Sequence, residues 1–362
     1  MNVPPDRPPE QPPPAAPERL SVLLVAPPWF PVPPVGYGGV EAVCGTLVDA
    51  LGRRGHRVEV VAAGTSRPGV PVHSAYETPL PDRINDSIAE IYHATRVEEV
   101  VRSGAFDVVH DHSMIGPLLG AVRRTPTVST VHNAVSRDYL QYTEAVSRWT
   151  PLVGLSAAHL RGLPTVRWRG FVHNGIPTAL FPFAESRPRE DWVLYLGRCT
   201  RVKGMHTAID AARAAGRRIV LAAKCNEPPE RKYFEERVAP RLGTDTEWLG
   251  EVDFGTKAEL LGRASCLLNP IDWNEPFGLV MAEAQACGTP VVTLARGAAP
   301  ELVDHGRTGF VCDSFDELVR SIDKVGDIRA TDCRTRAESM FDQEVMAAGY
   351  ERLYLEAISE GS

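Results

Sequence analysis

The sequence predicts an α/β protein made of two domains, each a doubly wound parallel sheet flanked by helices. Three observations point there. The chain has 362 residues, more than one hydrophobic core usually organises, so two domains of ordinary size are expected. A grammar of strand, loop, helix and strand opens at Leu20 and returns at Trp192. In both copies the helix stops at a glycine with arginines near the junction, and the chain then enters a second apolar run, which is how parallel strands are joined by a helical crossover.

The elements follow in order. Residues 1–18, MNVPPDRPPEQPPPAAPE, hold eight prolines and no apolar run. They are expected to form an extended, disordered arm and cannot supply the hydrophobic segment of an export signal. The first domain, 19–180, begins with the buried strand LSVLLVAP (20–27), a Pro/Gly-rich loop ending in GYGG, the helix VEAVCGTLVDALGRRG and the strand RVEVVAAG. FDVVHDH (106–112) and PTVSTVH (126–132) read as further strands, and the Pro-rich stretch 176–190 as the linker. The second domain, 181–340, repeats the pattern with WVLYLG, the polar loop RCTRVKG, the helix MHTAIDAARAAG and the strand RRIVLAAK. Its later strands are SCLLNP (265–270), PVVTL (290–294) and GFVCD (309–313). The closing segment, 341–362, has helical apolar spacing and is expected to pack back on the first domain.

Composition bounds the function. A formal net charge of −7 with 23% charged residues encodes no general affinity for nucleic acid or anionic lipid, so an anionic ligand needs a local cluster of cations. Seven cysteines without a Cys-x-x-Cys pair argue against a disulfide framework and fit a reducing cytoplasm. No apolar run reaches membrane-spanning length, because LSVLLVAPPWFPVPPVG is broken by five prolines. A peripheral membrane contact stays open. The segment LRGLPTVRWRGF (160–171) mixes arginines with Trp168 and Phe171, which suits either a lipid or anionic acceptor contact or a basic strand with one solvated face.

The stretch WNEPFGLVMAEAQACGTPVV carries Glu275 and Glu283 in otherwise apolar surroundings. Asn274 can cap, Pro276 suits a first helical position and Gly288 with Pro290 marks the exit, so a helix over Phe277–Cys287 is expected. Eight residues then correspond to at most about 12 Å, the span from sugar to ribose in a nucleotide-diphosphate sugar. The helix N-terminus between the two acids offers free N–H groups and a positive dipole end to a diphosphate. Spacing alone equally accommodates a first-turn acid favouring the dipole and a solvated acid within the helix.

Arg198, Arg201 and Lys203 sit in the loop LGRCTRVKG after a strand, where ligands of open parallel sheets bind. A guanidinium and an ammonium there can neutralise a leaving diphosphate. GYGGVE (36–41) lacks the third glycine of a dinucleotide fingerprint, yet Gly38 and Gly39 permit close backbone approach to a phosphate or sugar. His132 is a polar group at a strand end facing the expected cleft, whereas His110 and His112 are expected to serve structural hydrogen bonds. Neither group has metal-ligand spacing and no Asp-x-Asp pair stands at a strand end, so no metal is expected.

NEPFGLVMAEAQACGTPVV, LGRCTRVKG, GYGGVE, STVHN and VHNGI, in their positions along the chain, resemble glycosyltransferase family 4, whose members are retaining enzymes of the GT-B fold. The resemblance runs from Leu20 to about Leu355. It implies two facing Rossmann-like domains with a C-terminal crossover helix, and a nucleotide-diphosphate sugar, a UDP-sugar favoured, as co-substrate rather than a cofactor. It implies that Glu275 holds donor-sugar hydroxyls near the reacting carbon. Phe277, Gly278 and Leu279 would offer backbone amides to sugar and phosphate, and Glu283 would bind the ribose. Arg198 and Lys203 would clamp the diphosphate, Gly38 and Gly39 would lie beneath it, and His132 would reach the donor sugar. Lys224 resembles a lysine near the nucleotide in some short members. Val202, Pro177 and Gln285 depart from the common pattern, which has Glu, Asp and Met there.

The expected activity is therefore metal-independent transfer of a sugar to a hydroxyl of a natural product, an oligosaccharide or a lipid-linked glycan. Nucleic acid is not an expected partner. An epimerase or glycosyl phosphorylase on the same fold, and a non-catalytic sugar-binding protein, are the rival readings.

Overall fold

The structure is a computed structural model and describes residues 19–64, 69–84, 86–132, 137–185 and 189–361. The proline-rich arm expected over 1–18 lies outside the described residues. Strand β1 (Ser21–Val25) is apolar on both faces: Val22 and Leu24 join Leu47, Leu51 and Tyr350, whereas Leu23 and Val25 meet Val97, Val100 and Val109. A strand covered by helices on both sides has no reason to alternate, hence the unbroken apolar run. It sits inside a seven-stranded parallel sheet with β2 (Arg57–Val61), β3 (Val72–His73), β4 (Val108–Asp111), β5 (Thr127–Thr130), β6 (Leu152–Gly154) and β7 (Trp168–Phe171). Its order is β3-β2-β1-β4-β5-β6-β7, with Leu24 opposite Val60 on one side and His110 on the other.

The second sheet repeats the plan. β8 (Trp192–Arg198) sends Leu194 and Leu196 to one core and Val193 and Tyr195 to the other. With β9 (Arg218–Lys224), β10 (Thr246–Gly250), β11 (Cys266–Asn269), β12 (Val291–Leu294) and β13 (Gly309–Cys312) it forms a parallel sheet ordered β10-β9-β8-β11-β12-β13. In both sheets the strand order reverses at the first strand, between β1 and β4 and between β8 and β11. Such reversals open a crevice at the carboxyl ends of the strands. Gly38 and Gly39 follow β1, His132 follows β5, Arg198 ends β8, Lys224 ends β9 and Glu275 follows β11.

The chain crosses between domains twice, and the two crossings hold each other. Ile176 N–H donates to the carbonyl of Phe341 (2.8 Å), and Gln343 N–H donates back to that of Ile176 (3.0 Å). Thr178 Oγ1 donates to Asp342. The closing helix Gln343–Gly361 then lies on the first domain, where Met346, Ala347, Tyr350, Leu353 and Tyr354 join the core beneath β1. Polar contacts fix its register: Arg54 and His56 both bond the Glu351 carboxylate, His56 at 2.6 Å.

One expected element is corrected. The helix predicted over Phe277–Cys287 spans Leu279–Ala286, and Gly278 at φ 96° makes the turn into it, so Asn274 does not cap it and Pro276 lies outside its first turn. Tertiary hydrogen bonds override the local signal. Glu275 N–H donates to the Trp273 carbonyl and the Glu275 carbonyl accepts from Ala298 N–H, both at 2.9 Å. The strand-to-helix connection stays a loop up to the left-handed glycine.

Candidate active site

Lys203 and Glu275 come from loops after different strands and meet as an ion pair. The loops are themselves joined by Asp272 N–H donating to the Val202 carbonyl at 2.8 Å. Gly204, at φ 76°, brings the first loop so close that a Cβ there would stand 2.1 Å from the Pro270 carbonyl oxygen. Trp273 completes the group: its indole N–H donates to Glu275 Oε2 at 3.1 Å, and the Lys203 ammonium lies 5.2 Å from its ring. Gly297, at φ 51°, supports Glu275 from behind, and a Cβ there would fall 2.3 Å from its backbone N and O.

A second group forms around Tyr37, which the first domain contributes from the glycine loop. Arg198 and Lys224 flank its ring at 5.7 and 5.0 Å. Both cations are already paired. Arg198 donates to Glu230 (2.8 Å) and Glu227 (3.0 Å), and Lys224 donates to Glu227 at 2.7 Å. Burial alone would raise the Glu230 carboxyl, but a backbone N–H at Glu227 and the Arg198 guanidinium outweigh it and hold it below the usual carboxylate range. Glu251 ties the domains together here, accepting from Tyr37 N–H and from Asn226 Nδ2, both at 2.9 Å.

The helix mouth comes close to the glycine loop at Leu279. Phe277 is buried against His173 and Phe341, so its side chain is enclosed. Leu279 packs in the cores of both domains, and a Cβ on Gly39 would stand 3.9 Å from its Cδ1. Gly38, at φ 154°, has no room for a side chain, since a Cβ there would stand 2.7 Å from Pro34 Cβ. Glu283 is buried on the helix and takes a 2.6 Å hydrogen bond from Lys257. That pair stands by itself: no contact joins it to Glu275, Arg198 or Lys203 among the described residues.

On the first-domain side His132 shares a 2.7 Å hydrogen bond with His112. Burial, reinforced by His159, pushes the His132 pKa down to about 3. His110 bonds Tyr354 of the closing helix (2.6 Å) and Thr130 (2.8 Å), a structural role as expected. Burial drives His110 and His112 well below the ordinary histidine value, so all three rings are neutral near pH 7.

Sequence reasoning missed Tyr37, Glu227, Glu230, Glu251, Trp273 and Lys257. One signal was present: NEPPE reads as a capping box with proline in the first turn, and Glu227 and Glu230 form that box. Gln285, a departure from the common pattern, is buried and ties its helix to the Leu302 carbonyl at 3.2 Å. In the basic segment 160–171, Arg161 pairs with Glu301 and Arg169 with Glu360. Among the described residues no cluster of three or more His, Cys, Asp or Glu could hold a metal ion. No helix there is long and apolar enough to cross a membrane.

Comparison with known proteins bears on this geometry. The model of the family "Glycosyl transferases group 1" matches residues 179–339, and that of "Glycosyltransferase Family 4" matches residues 37–161. Alpha-maltose-1-phosphate synthase of Mycobacterium tuberculosis is 30% identical over 76% of this chain and 81% of its own length. Glycogen synthase of the same species is 29% identical over 93% and 95%. The crystal structure of AviGT4, a glycosyltransferase involved in avilamycin A biosynthesis, superposes with a TM-score of 0.72 at 27% identity, covering 94% of this chain and 98% of that one. One matched segment lies in each of the two domains, and the chain belongs to glycosyltransferase family 4, with the GT-B fold and glycosyltransferase activity.

Proposed function

We propose that this enzyme is a retaining, metal-independent glycosyltransferase that moves a sugar from a nucleotide-diphosphate sugar, a UDP-sugar in the first instance, to an acceptor hydroxyl. One observation carries the reading. Arg198 and Lys224, at two neighbouring strand ends, flank Tyr37 from the opposite domain, and Lys203, in the loop after the Arg198 strand, pairs with Glu275. Such a cluster within a chain of net charge −7 suits a diphosphate, and it can neutralise the charge that develops on the leaving group.

In this reading Glu275 holds the sugar hydroxyls and Lys203 both orients Glu275 and meets the diphosphate. Backbone N–H groups of Phe277, Gly278 and Leu279 at the helix mouth complement the phosphates. Glu283 takes the ribose hydroxyls, and Gly38 and Gly39 let the loop approach from below. The acceptor enters from the first domain, where His132 reaches the donor sugar. Its hydroxyl attacks from the leaving-group face and passes its proton to a phosphate oxygen, which gives retention. The names of the relatives support an oligosaccharide, a natural product and a lipid-linked acceptor alike.

A thermal-shift screen with UDP-, GDP- and dTDP-sugars identifies the donor, since a ligand confined to the folded state raises the melting temperature. Product formed with the matching donor is then analysed for anomeric configuration in the presence of EDTA. Retained configuration and undiminished turnover are expected. An inverted product, or loss of activity with EDTA, refutes the corresponding part of the reading.

A further inference from the structure

The histidine pair at the ends of β4 and β5 carries more than a structural role. Two tautomer arrangements satisfy the 2.7 Å contact between His112 Nδ1 and His132 Nε2. Either His112 donates through Nδ1–H, or His132 donates through Nε2–H. The far side of His112 decides between them. Its Nε2 is buried, with no hydrogen-bond partner among the described residues. If His132 were the donor, the single proton of neutral His112 would sit on that enclosed Nε2. A buried orphan N–H is rarer and costlier than a buried orphan lone pair.

We propose that His112 is a positioning residue: its Nδ1–H donates to His132 Nε2 and so keeps the His132 proton on Nδ1, making that ring a hydrogen-bond donor toward the cleft. The proposal rests on the reading that His132 reaches the donor sugar. The geometry around the pair supports it. His112 cannot swing away, because the His110 ring packs 4.1 Å from it, and His110 is held by Tyr354 and Thr130. Tyr350 donates to or accepts from Thr130 at 2.9 Å. The closing helix thus fixes the orientation of a ring it does not touch through the ring that it does. No partner for His132 Nδ1 occurs among the described residues, and the residue keeps some exposure. A neutral donor there can hydrogen-bond a sugar hydroxyl oxygen; it cannot act as a base.

The test labels histidine with nitrogen-15 and reads the ring tautomers of the full-length protein by long-range proton-nitrogen NMR, with His132→Gln used to assign the signal. The wild type is expected to show His132 protonated on Nδ1. His112→Asn, whose amide N–H replaces the Nδ1–H donor, should keep that tautomer and most of kcat. His112→Leu should mix the tautomers and lower kcat roughly tenfold, the worth of one hydrogen bond, with little change in donor KM. A wild-type spectrum with the His132 proton on Nε2 overturns the proposal without reference to activity. So does a His112→Leu enzyme with unchanged tautomer and kcat. Absence of glycosyl transfer by the wild type would sink the functional reading and leave the tautomer assignment standing.

Discussion

Replacing Lys203 with alanine separates the cost of losing an ion pair from the cost of losing a catalytic cation. The side chains of Lys203 and Glu275 keep 25% and 12% exposure, so their attraction is partly screened by water. Glu275 also retains the indole donor of Trp273 at 3.1 Å after the lysine is gone. The expected loss of stability is therefore only about 1 kcal/mol. Turnover should suffer far more. Withdrawing a preorganised donor from a developing charge typically costs about 3 kcal/mol of barrier, or roughly two orders of magnitude in kcat. Glu275→Ala is expected to lose as much by releasing the sugar. Because the two side chains act as one unit, the double variant should fall well short of the roughly four orders that additivity demands. Initial rates on purified protein, with a thermal melt of each variant, provide the measurement. Near-normal turnover in both folded single variants would refute the assigned roles.

Three further outcomes are expected. Gly297→Ala places a Cβ 2.3 Å from the Glu275 backbone at φ 51°, so the variant should melt earlier and lose turnover, both read on one purified sample. Glu351→Ala leaves the buried His56 ring and Arg54 without their shared acceptor and should cost about 2 kcal/mol in urea denaturation, since one partner is fully enclosed. Burial raises the carboxyls of Glu41 and Glu90 from 4.5 to about 7. The folded chain then holds protons that the unfolded chain has released, so this stability is complete below about pH 4.5 and is lost as pH rises to about 7. Glu41→Gln with Glu90→Gln should flatten the melting-temperature profile across that window, and an unchanged slope would contradict the burial argument.

Much of the fold was legible because strands covered on both faces need apolar residues at every position, and β1, β8 and β9 announce themselves that way. β3, with two residues, and β10, whose half-exposed positions alternate, carry too little apolar sequence to stand out. β6 has three residues, and β7 is an edge strand with no fully buried residue. The cations of the site were legible because Arg and Lys at or just after the end of a buried parallel strand stand where ligands of such sheets bind. Which acids they pair with was not legible, and Glu227 and Glu230 escaped notice altogether. Lys203 meets Glu275 only because β8 and β11 are neighbours in space, and Tyr37 meets Glu251 only because the two domains face each other. The late start of the helix at Leu279 was hidden for the same reason, since Ala298 and Gly297 hold the preceding loop from a distant part of the chain.

The two glutamates on Arg198 have different burial, and this assigns them different duties. The Glu230 side chain is 1% exposed, is tied to Arg198 Nε, and is held ionised by the backbone at the start of its helix. It cannot leave without stranding a buried charge, so it anchors the guanidinium in place whether or not a ligand is present. Glu227 is 36% exposed and bonds Arg198 Nη2 and the Lys224 ammonium, the same two cations a diphosphate would meet. It relieves their mutual repulsion in the free enzyme and, on the proposed reading, would give way to the phosphates of the donor. Glu227→Gln weakens the competitor and should lower the donor KM by roughly threefold, as expected for a half-screened ion pair. Glu230→Gln releases the anchor and should raise KM by roughly tenfold or more. Equal shifts of the same sign in the two variants would show that both carboxylates merely balance charge and that their burial is irrelevant to the ligand.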